Sequence, residues 1–365
     1  MGSRLINQKP RFPVVGTSWL FDGWTASTPM LVLVGAGAVA LFVMPSVLAP
    51  YPLIVLCYAL VYAIACLSLN ILLGTTGLLS LGHAAYFGAG AYTGAFLYRL
   101  AGMGSLEVHL LSGMVCATAL AAVLGFFCLQ VSRLHFAILT LAFTQIIYSA
   151  FIGGSFFRLF GAKGWSLYML GGGSMYIPRL TMLGGECAPD VFIAAFYNYI
   201  AGAFLVTFLV LWRIDCSPFG KSLKAIRDNE LRAENIGIPV RRYRWVAFVI
   251  SGLFMGLAGA LYGQLNRQIT PEQLGWMFSA ILILATVLGG VRQFVGPMVG
   301  AFAYVALDEF ALHWVGTRNM VMGILLIAVV CIFPMGIAGT TVAVAHHVKR
   351  LAKKRFQTGH KSPLQ

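Results

Sequence analysis

Residues 52–73 read PLIVLCYALVYAIACLSLNILL, and this stretch decides the fold class. It contains no charged side chain, and about 20 mostly apolar residues are enough for a helix to span the hydrocarbon core of a bilayer. The rest of the chain has the same character, with 59% hydrophobic and only 10% charged residues. A soluble domain carries roughly 25% charged residues. The sequence therefore predicts an all-α, polytopic transmembrane helical bundle.

Further apolar stretches bring the prediction to about ten spans. Three of them are short and rich in glycine, namely 82–99, 276–290 and 297–312, and for each the sequence leaves two alternatives, a full span or a re-entrant or broken segment. The complete set of predicted spans is 30–48, 52–73, 82–99, 109–130, 134–153, 191–213, 245–264, 276–290, 297–312 and 319–338.

The placement of basic residues predicts the orientation. The net charge is +14, and with the N-terminus inside, 19 of the 25 Lys and Arg residues fall on the inner side and 6 on the outer side. Because Lys and Arg accumulate on the cytoplasmic face, both termini are predicted to be cytoplasmic. This pattern favours a membrane over a nucleic acid as the partner of the positive charge.

The predicted organisation is a single membrane domain with polar segments at its ends and in two loops. The domain covers residues 30–340, with a periplasmic loop at 154–190 and a cytoplasmic loop at 214–244. Residues 1–29 form a cytoplasmic N-terminal segment, and residues 341–365 form a basic cytoplasmic tail.

Polar residues inside predicted spans are candidates for the solute pathway. Buried polar groups are costly in a bilayer unless they find partners, and they usually face the bundle interior or a cavity. Hydrogen bonding between helices is the alternative explanation for each of them. The candidates are Asn70, Thr75, Thr76, Ser80, His83, Thr140, Thr144 and Gln145.

The inner loop contains a polar segment with partial helical periodicity over residues 217–237. Pro218 suits the first turn of a helix, and Gly237 followed by Pro239 suits its end. We expect one short, exposed helix that docks a partner, or else a solvated connector held by ion pairs. Its Gly-Lys-Ser at 220–222 is not a phosphate-binding loop, because the required upstream glycine is replaced by Asp215.

Two glycine-rich segments resemble each other and predict an internal repeat. Residues 72–92 read LLGTTGLLSLGHAAYFGAGAY, and residues 287–304 read VLGGVRQFVGPMVGAFAY. Interrupted hydrophobic segments in corresponding positions are typical of transporter binding regions. Chance similarity of two glycine-rich helices is the alternative. Glycine pairs four residues apart, such as Gly252 and Gly256, predict close helix packing.

Four motifs, in this order, resemble the branched-chain amino-acid ABC transporter permease family, of the LivM/LivH type. They are LSLNILLGTTGLLSLGHAAYFGAGAYT at 67–93, LTLAFTQIIY at 139–148, GKSLKAIRDNELRAENIGIPVRRYRWVAFVISGLFMGLAGALYG at 220–263 and VLGGVRQFVGPMVGA at 287–301. The LivM-like half of the family is the closer likeness.

This resemblance implies a permease subunit of an importer in the bacterial inner membrane. The implied partners are a second, LivH-like permease, two ATP-binding subunits and a periplasmic substrate-binding protein. ATP and Mg would then be bound by the partner subunits, and this chain would bind no cofactor. The implied solutes are branched-chain or other amino acids, urea or amides, and aromatic carboxylates. The residues expected in the coupling helix are Gly220, Lys221, Ala225, Ile226, Arg227, Glu230, Asn235 and Gly237.

Two other transport classes remain open from the residues alone. A stand-alone secondary transporter would need intramembrane acids for ion coupling, and few occur in the predicted spans. A urea-type channel would not need the docking loop. We find no sequence pattern for a catalytic site or a metal site, so we do not expect the chain to be an enzyme.

Overall fold

The computed structural model describes residues 28–102, 104–152, 175–177, 181, 189–312, 318–333 and 336–340. In these residues the architecture is a helical bundle, as predicted. The helices are α1 (Thr28–Val47), α2 (Pro50–Asn70), α3 (His83–Ala101), α4 (Leu106–Cys128), α5 (Arg133–Ile152), α6 (Pro189–Cys216), α7 (Pro218–Asp228), α8 (Glu230–Asn235), α9 (Val240–Asn266), α10 (Trp276–Gly289), α11 (Gly296–Ala311) and α12 (Arg318–Ile332).

Each predicted span coincides with one of these helices, and α7 and α8 lie in the polar loop 214–244. By length and composition, five apolar helical stretches of the described chain can cross a membrane: Pro50–Thr76, Leu106–Cys128, His135–Ile152, Phe192–Cys216 and Val240–Asn266. The segments that were predicted to be short at 276–290 and 297–312 are helices of 14 and 16 residues. The total of ten crossings therefore stays a prediction.

Helix α2 does not stop at Asn70 but widens into a π-helical turn over Ile71–Thr76. Gly77 then ends it with a φ of 74°, a left-handed conformation that favours glycine. A non-helical stretch over residues 78–82 leads back into the bundle, where α3 begins at His83. The glycine-rich segment 72–92 is thus interrupted, and the interruption takes the form of a π-helical turn with a glycine cap.

The core is built around α9, which packs closely against α3 and α4. Glycines make this approach possible, because a methyl group on Gly252 or Gly256 would overlap Ala121 or Ala117 of α4. A methyl group on Gly259 would overlap the backbone of Phe87 in α3. The glycine pairs predicted from the sequence to mediate helix packing therefore do so.

The two ends of the bundle differ in character. At one end, which we call the coupling end, α7 lies beside the π-helical turn, and α8 packs against α7 and α9. At the opposite end, Tyr58 of α2 donates to Asn266 Oδ1 at the end of α9, over 2.7 Å. A two-residue antiparallel ribbon of β1 (Met175–Tyr176) and β2 (Gln268–Ile269) also lies there. The remainder of the predicted 154–190 loop, apart from 175–177, 181 and 189–190, is outside the described residues, as are the segment 1–27 and the tail 341–365.

Candidate transport and coupling site

The buried start of α3 lies where the sequence predicts the solute pathway. A helix start leaves backbone N–H groups without helical partners, and in an apolar interior these need acceptors. Hydroxyl groups supply them. Thr140 Oγ1 accepts from Leu81 N at 3.3 Å, Ser80 Oγ accepts from Gly82 N at 3.3 Å, and Ser279 Oγ accepts from Ala84 N at 2.8 Å.

His83 is fully buried and links three helices. Ser251 Oγ of α9 donates to the Ser68 carbonyl oxygen of α2 at 2.7 Å, so this hydroxyl accepts at its contact with His83 Nε2 at 2.8 Å. The proton is therefore on Nε2, and Nδ1 accepts from Ser80 Oγ at 2.9 Å. Both ring nitrogens have partners, so the geometry favours a structural role for His83 over direct solute contact.

The remaining pathway candidates divide into three groups. Thr76 and Thr144 are fully buried, and they donate to the carbonyl oxygens of Ile71 and Thr140, both at 2.8 Å. Gln145 is exposed on α5 and points away from these residues. Asn70 and Thr75 line a small cavity at the coupling end, and the Asn70 Oδ1 atom is buried without a hydrogen-bond partner.

The two glycine-rich segments that were predicted to be a repeat touch each other at this level. The α carbon of Gly74 lies against the Asn70 side chain and the carbonyl oxygen of Val291, so a methyl group at Gly74 would overlap both. Val291 belongs to the break between α10 and α11, and the preceding Gly290 has a φ of 113°. The two interruptions therefore form one contact region rather than two separate loops.

The coupling loop differs from the single helix predicted for 217–237. It consists of α7 and α8, because Asn229 takes an extended conformation and caps the second helix by accepting from Arg232 N at 2.9 Å. Asparagine is well suited to such a cap, and the prediction of one continuous helix overlooked it. The predicted start at Pro218 and the stop at Gly237, which has a φ of 88°, are confirmed.

Arg227 connects this loop directly to the interrupted helix. Its guanidinium Nη1 donates to the carbonyl oxygen of Gly74. The Arg227 side chain also covers the α carbon of Gly77, where a methyl group would lie 2.7 Å from Arg227 Cγ. Arg227 therefore joins α7 to the π-helical turn.

Glu230 holds the loop to the neighbouring helices. Arg244 Nη2 of α9 donates to Glu230 Oε2 at 2.7 Å, and Arg133 Nε of α5 contacts the same oxygen at 3.3 Å. Arg133 Nη2 also donates to the Ile226 carbonyl oxygen at 2.9 Å. The hydrogen bond from Arg244 lowers the pKa of Glu230 and outweighs partial burial, which acts in the opposite direction. We call Arg133, Glu230 and Arg244 the Glu230 clasp.

The predicted coupling residues thus lie on two faces of the loop. Gly220 and Ile226 are buried, and Arg227 and Glu230 contact the bundle. Lys221, Ala225, Asn235 and Gly237 are exposed. The exposed face also carries Leu231 at 73% and Ile236 at 70% relative exposure, two apolar side chains that sequence reasoning did not select. Leu231 lies in α8 and Ile236 directly follows it.

Comparison with known proteins identifies the family. The family model described as branched-chain amino acid transport system / permease component matches residues 51–330. The chain belongs to this permease family. It is 26% identical over 302 residues to the high-affinity branched-chain amino acid transport system permease protein LivM of Escherichia coli (strain K12), with 77% of this chain and 68% of LivM covered.

Two further relatives are also permease proteins. The permease protein LivH of the high-affinity branched-chain amino acid transport system of Salmonella typhimurium is 23% identical, covering 76% of this chain and 91% of LivH. The autoinducer 2 import system permease protein LsrC of Klebsiella pneumoniae is 26% identical, covering 42% of this chain and 46% of LsrC. No solved structure matches the chain.

Several site residues were not found by sequence reasoning. Ser251 and Ser279 complete the hydrogen bonds around the start of α3, and Arg133 and Arg244 form the Glu230 clasp. The only sequence signal for the serines was a hydroxyl inside an apolar run, and for the arginines a charge beside a predicted span. Neither signal says which residue will be the partner.

Proposed function

We propose that this chain is a membrane-spanning permease subunit of an ABC importer for a small amino-acid-like solute. Membership of the permease family supports the proposal, as do the names of the LivM, LivH and LsrC relatives. The single observation that carries the coupling part of the proposal is the bond from Arg227 to the Gly74 carbonyl. It connects an exposed cytoplasmic loop to the interrupted part of the bundle.

In this proposal the energy comes from other subunits. Gly220, Lys221 and Ser222 lie within helix α7, where the packing of Gly220 against the carbonyl of Asp215 leaves no phosphate-binding loop. ATP and Mg are therefore assigned to two partner ATP-binding subunits, and this chain is not itself an enzyme. A second, LivH-like permease and a periplasmic binding protein complete the complex.

The mechanism is alternating access. Closure of the ATP-binding subunits displaces α7 and α8, and Arg227 carries the movement to the π-helical turn at Gly74. Because Gly74 abuts the Val291 carbonyl, the break between α10 and α11 moves with it. The two interruptions then open one face of the pathway as the other closes.

The membrane topology is part of the same proposal. Ten crossings in the bacterial inner membrane, with both termini cytoplasmic, place α7 and α8 inside the cell, where ATP-binding subunits can reach them. The excess of basic residues on that side supports this orientation. The solute class stays within the range of amino acids, amides or urea, and aromatic carboxylates.

The test is co-purification from native membranes, with Leu231→Glu and Ile236→Glu as variants. Charging these two exposed apolar positions should remove the ATP-binding subunit without disturbing the fold, because neither side chain is packed in the bundle. Glu234→Gln is the matched control, since Glu234 is exposed on the same loop. Wild type and control should retain the ATP-binding subunit. Recovery of the subunit with both charged variants would contradict the docking surface assigned here.

A further inference from the structure

The first turn of α9 carries two exposed arginines that form no ion pair with an acid of the described residues. Arg241 and Arg242 are both exposed, and neither takes part in the four ion pairs found there. Arg244, three residues after Arg241, is instead held by Glu230 in the Glu230 clasp. A positive charge in the first turn gains nothing from the helix dipole, so Arg241 and Arg242 do not stabilise α9 in this way.

An exposed apolar surface follows these charges along α9. Trp245 follows Arg241 by four residues, and Val246 follows Arg242 by four residues, so each pair shares a face of the helix. Both apolar side chains are exposed. They lie about 6 Å further along the helix axis than the arginines. Trp245 begins the span predicted from the sequence, so the arginines lie just outside the apolar part of the bundle.

Helix α4, which packs against α9, extends this surface. The Trp245 indole Nε1 donates to the carbonyl oxygen of Ala122, at 3.1 Å, and this bond holds the ring on α4. Phe126 follows Ala122 by one helical turn, and Phe126 and Phe127 are exposed at 58% and 51%. Both phenylalanines lie in the last turn of α4, at the same end of the bundle as the start of α9. We call Trp245, Val246, Phe126 and Phe127 the apolar collar.

We propose that Arg241 and Arg242 bind the phosphate group of an anionic phospholipid whose acyl chains cover the apolar collar. Two guanidinium groups provide both the charge and the hydrogen-bond donors that suit a phosphate. Arginine side chains at the end of a span extend to the level of the headgroups, where such a phosphate lies. The site does not depend on the proposed importer function, because it requires only that α9 crosses a membrane.

The apolar collar distinguishes a lipid from the other anions that two arginines can bind. A free phosphate ion would contact the arginines alone and leave the collar uncovered. A soluble protein partner would reach the arginines, but the collar lies within the predicted spans. A phospholipid matches both parts, with its phosphate at the arginines and its chains against the rings. A zwitterionic lipid has no net negative charge and gains less from the two arginines.

The experiment measures lipid binding by the purified chain together with the subunits that co-purify. The delipidated complex is titrated in mild detergent with dioleoyl phosphatidylglycerol or dioleoyl phosphatidylcholine, and bound lipids are counted by native mass spectrometry. Wild type should have a saturable site that prefers phosphatidylglycerol. Replacement of both arginines, Arg241→Gln with Arg242→Gln, should lower the affinity of this site about 25-fold, with about fivefold from each charge.

Two matched variants test whether the position and the sign of the charge matter. Lys221→Gln with Arg232→Gln removes the same charge from exposed positions of the coupling loop, and it should leave the affinity within about twofold of wild type. Arg241→Lys with Arg242→Lys keeps the charge and should retain most of the affinity. Because all four side chains are exposed, these variants should fold like wild type.

Inorganic phosphate, added at the same concentration as the lipid, should not displace phosphatidylglycerol, because it cannot cover the apolar collar. The proposal is overturned if the double glutamine variant of the arginines binds phosphatidylglycerol like wild type, or if the loop control loses as much affinity. Equal binding of phosphatidylcholine, or displacement by inorganic phosphate, overturns it as well. Loss of a co-purified subunit from the arginine variant, with lipid binding unchanged, would make the arginines a subunit contact instead.

Discussion

His83 shows how one polar side chain is accommodated in the apolar centre of the bundle. Its two ring nitrogens are hydrogen bonded to Ser80 and Ser251, and Ser251 passes the network on to the backbone of α2. The sequence could show that His83 is an isolated polar group in a span. It could not show that Ser251, 168 residues later, would lie opposite it. Whether His83 has a structural role or lines the pathway could therefore be argued only from the fold.

Replacement of His83 by alanine should destabilise the protein rather than alter its solute preference. The change removes two hydrogen bonds, leaves Ser80 and Ser251 with reduced pairing, and opens a cavity, which together cost roughly 2–4 kcal/mol. Thermal unfolding of the purified subunit should show a lower midpoint for His83→Ala. Gln145→Ala, at an exposed position, is the control and should leave the midpoint unchanged. A stable His83→Ala protein with altered solute preference would return His83 to the pathway.

At the scale of elements, the link between the loop and the interrupted helices explains how a polar segment can act on an apolar bundle. The sequence predicted that the glycine-rich segments 72–92 and 287–304 are interrupted. The contacts of Gly74 with Val291 and of Arg227 with Gly74 could not be predicted, because each contact joins segments that are distant in sequence. The division of the loop into two helices is a local effect, because Asn229 caps the second helix. The helical periodicity of residues 217–237 instead suggested one continuous helix.

The Glu230 clasp should respond to acid in a defined direction. The pKa of Glu230 is lowered, chiefly by its hydrogen bond with Arg244, so the clasp stabilises the loop above the ordinary pKa of a glutamate. That contribution is lost as the pH falls through the lowered value. A cysteine at the buried Ile226 should therefore react slowly with a maleimide near neutral pH, and the population of open loops should grow on acidification.

The matched variants separate the clasp from general acid unfolding. Glu230→Gln should raise the reaction rate of the Ile226→Cys thiol already at neutral pH, because the neutral amide no longer pairs with Arg133 and Arg244. Glu234→Gln should behave like wild type, since Glu234 is exposed. Rates should be compared at each pH after correction for the reactivity of a free thiol. Equal corrected rates for Glu230→Gln and wild type at neutral pH would show that the clasp does not hold the loop.

At the scale of the whole molecule, the helical class was predictable, because apolar length is a local property that can be summed along the chain, whereas the sidedness derived from the basic residues stays a prediction. The exact number of crossings was not predictable, because α10, α11 and α12 are shorter than a full span. The small ribbon of β1 and β2 was also missed, since two-residue strands have no detectable period.

The proposed orientation predicts different labelling at the two ends. Ala225 and Gln268 are both exposed, the first in α7 and the second in β2. In a background without other reactive cysteines, Gln268→Cys should react with a membrane-impermeant maleimide in intact spheroplasts. Ala225→Cys should react only after the membrane is permeabilised. The reverse pattern would invert the topology and place the coupling loop outside the cell.

The most direct test of the central claim is solute uptake by proteoliposomes containing either the purified chain alone or the chain with its co-purified subunits, each with and without ATP. We predict uptake only by the assembled complex, only with ATP, and with a strong reduction by Arg227→Ala, which removes the contact with Gly74. Uptake by the chain alone, without ATP and without partner subunits, would contradict the importer account and establish a channel or a secondary carrier in its place.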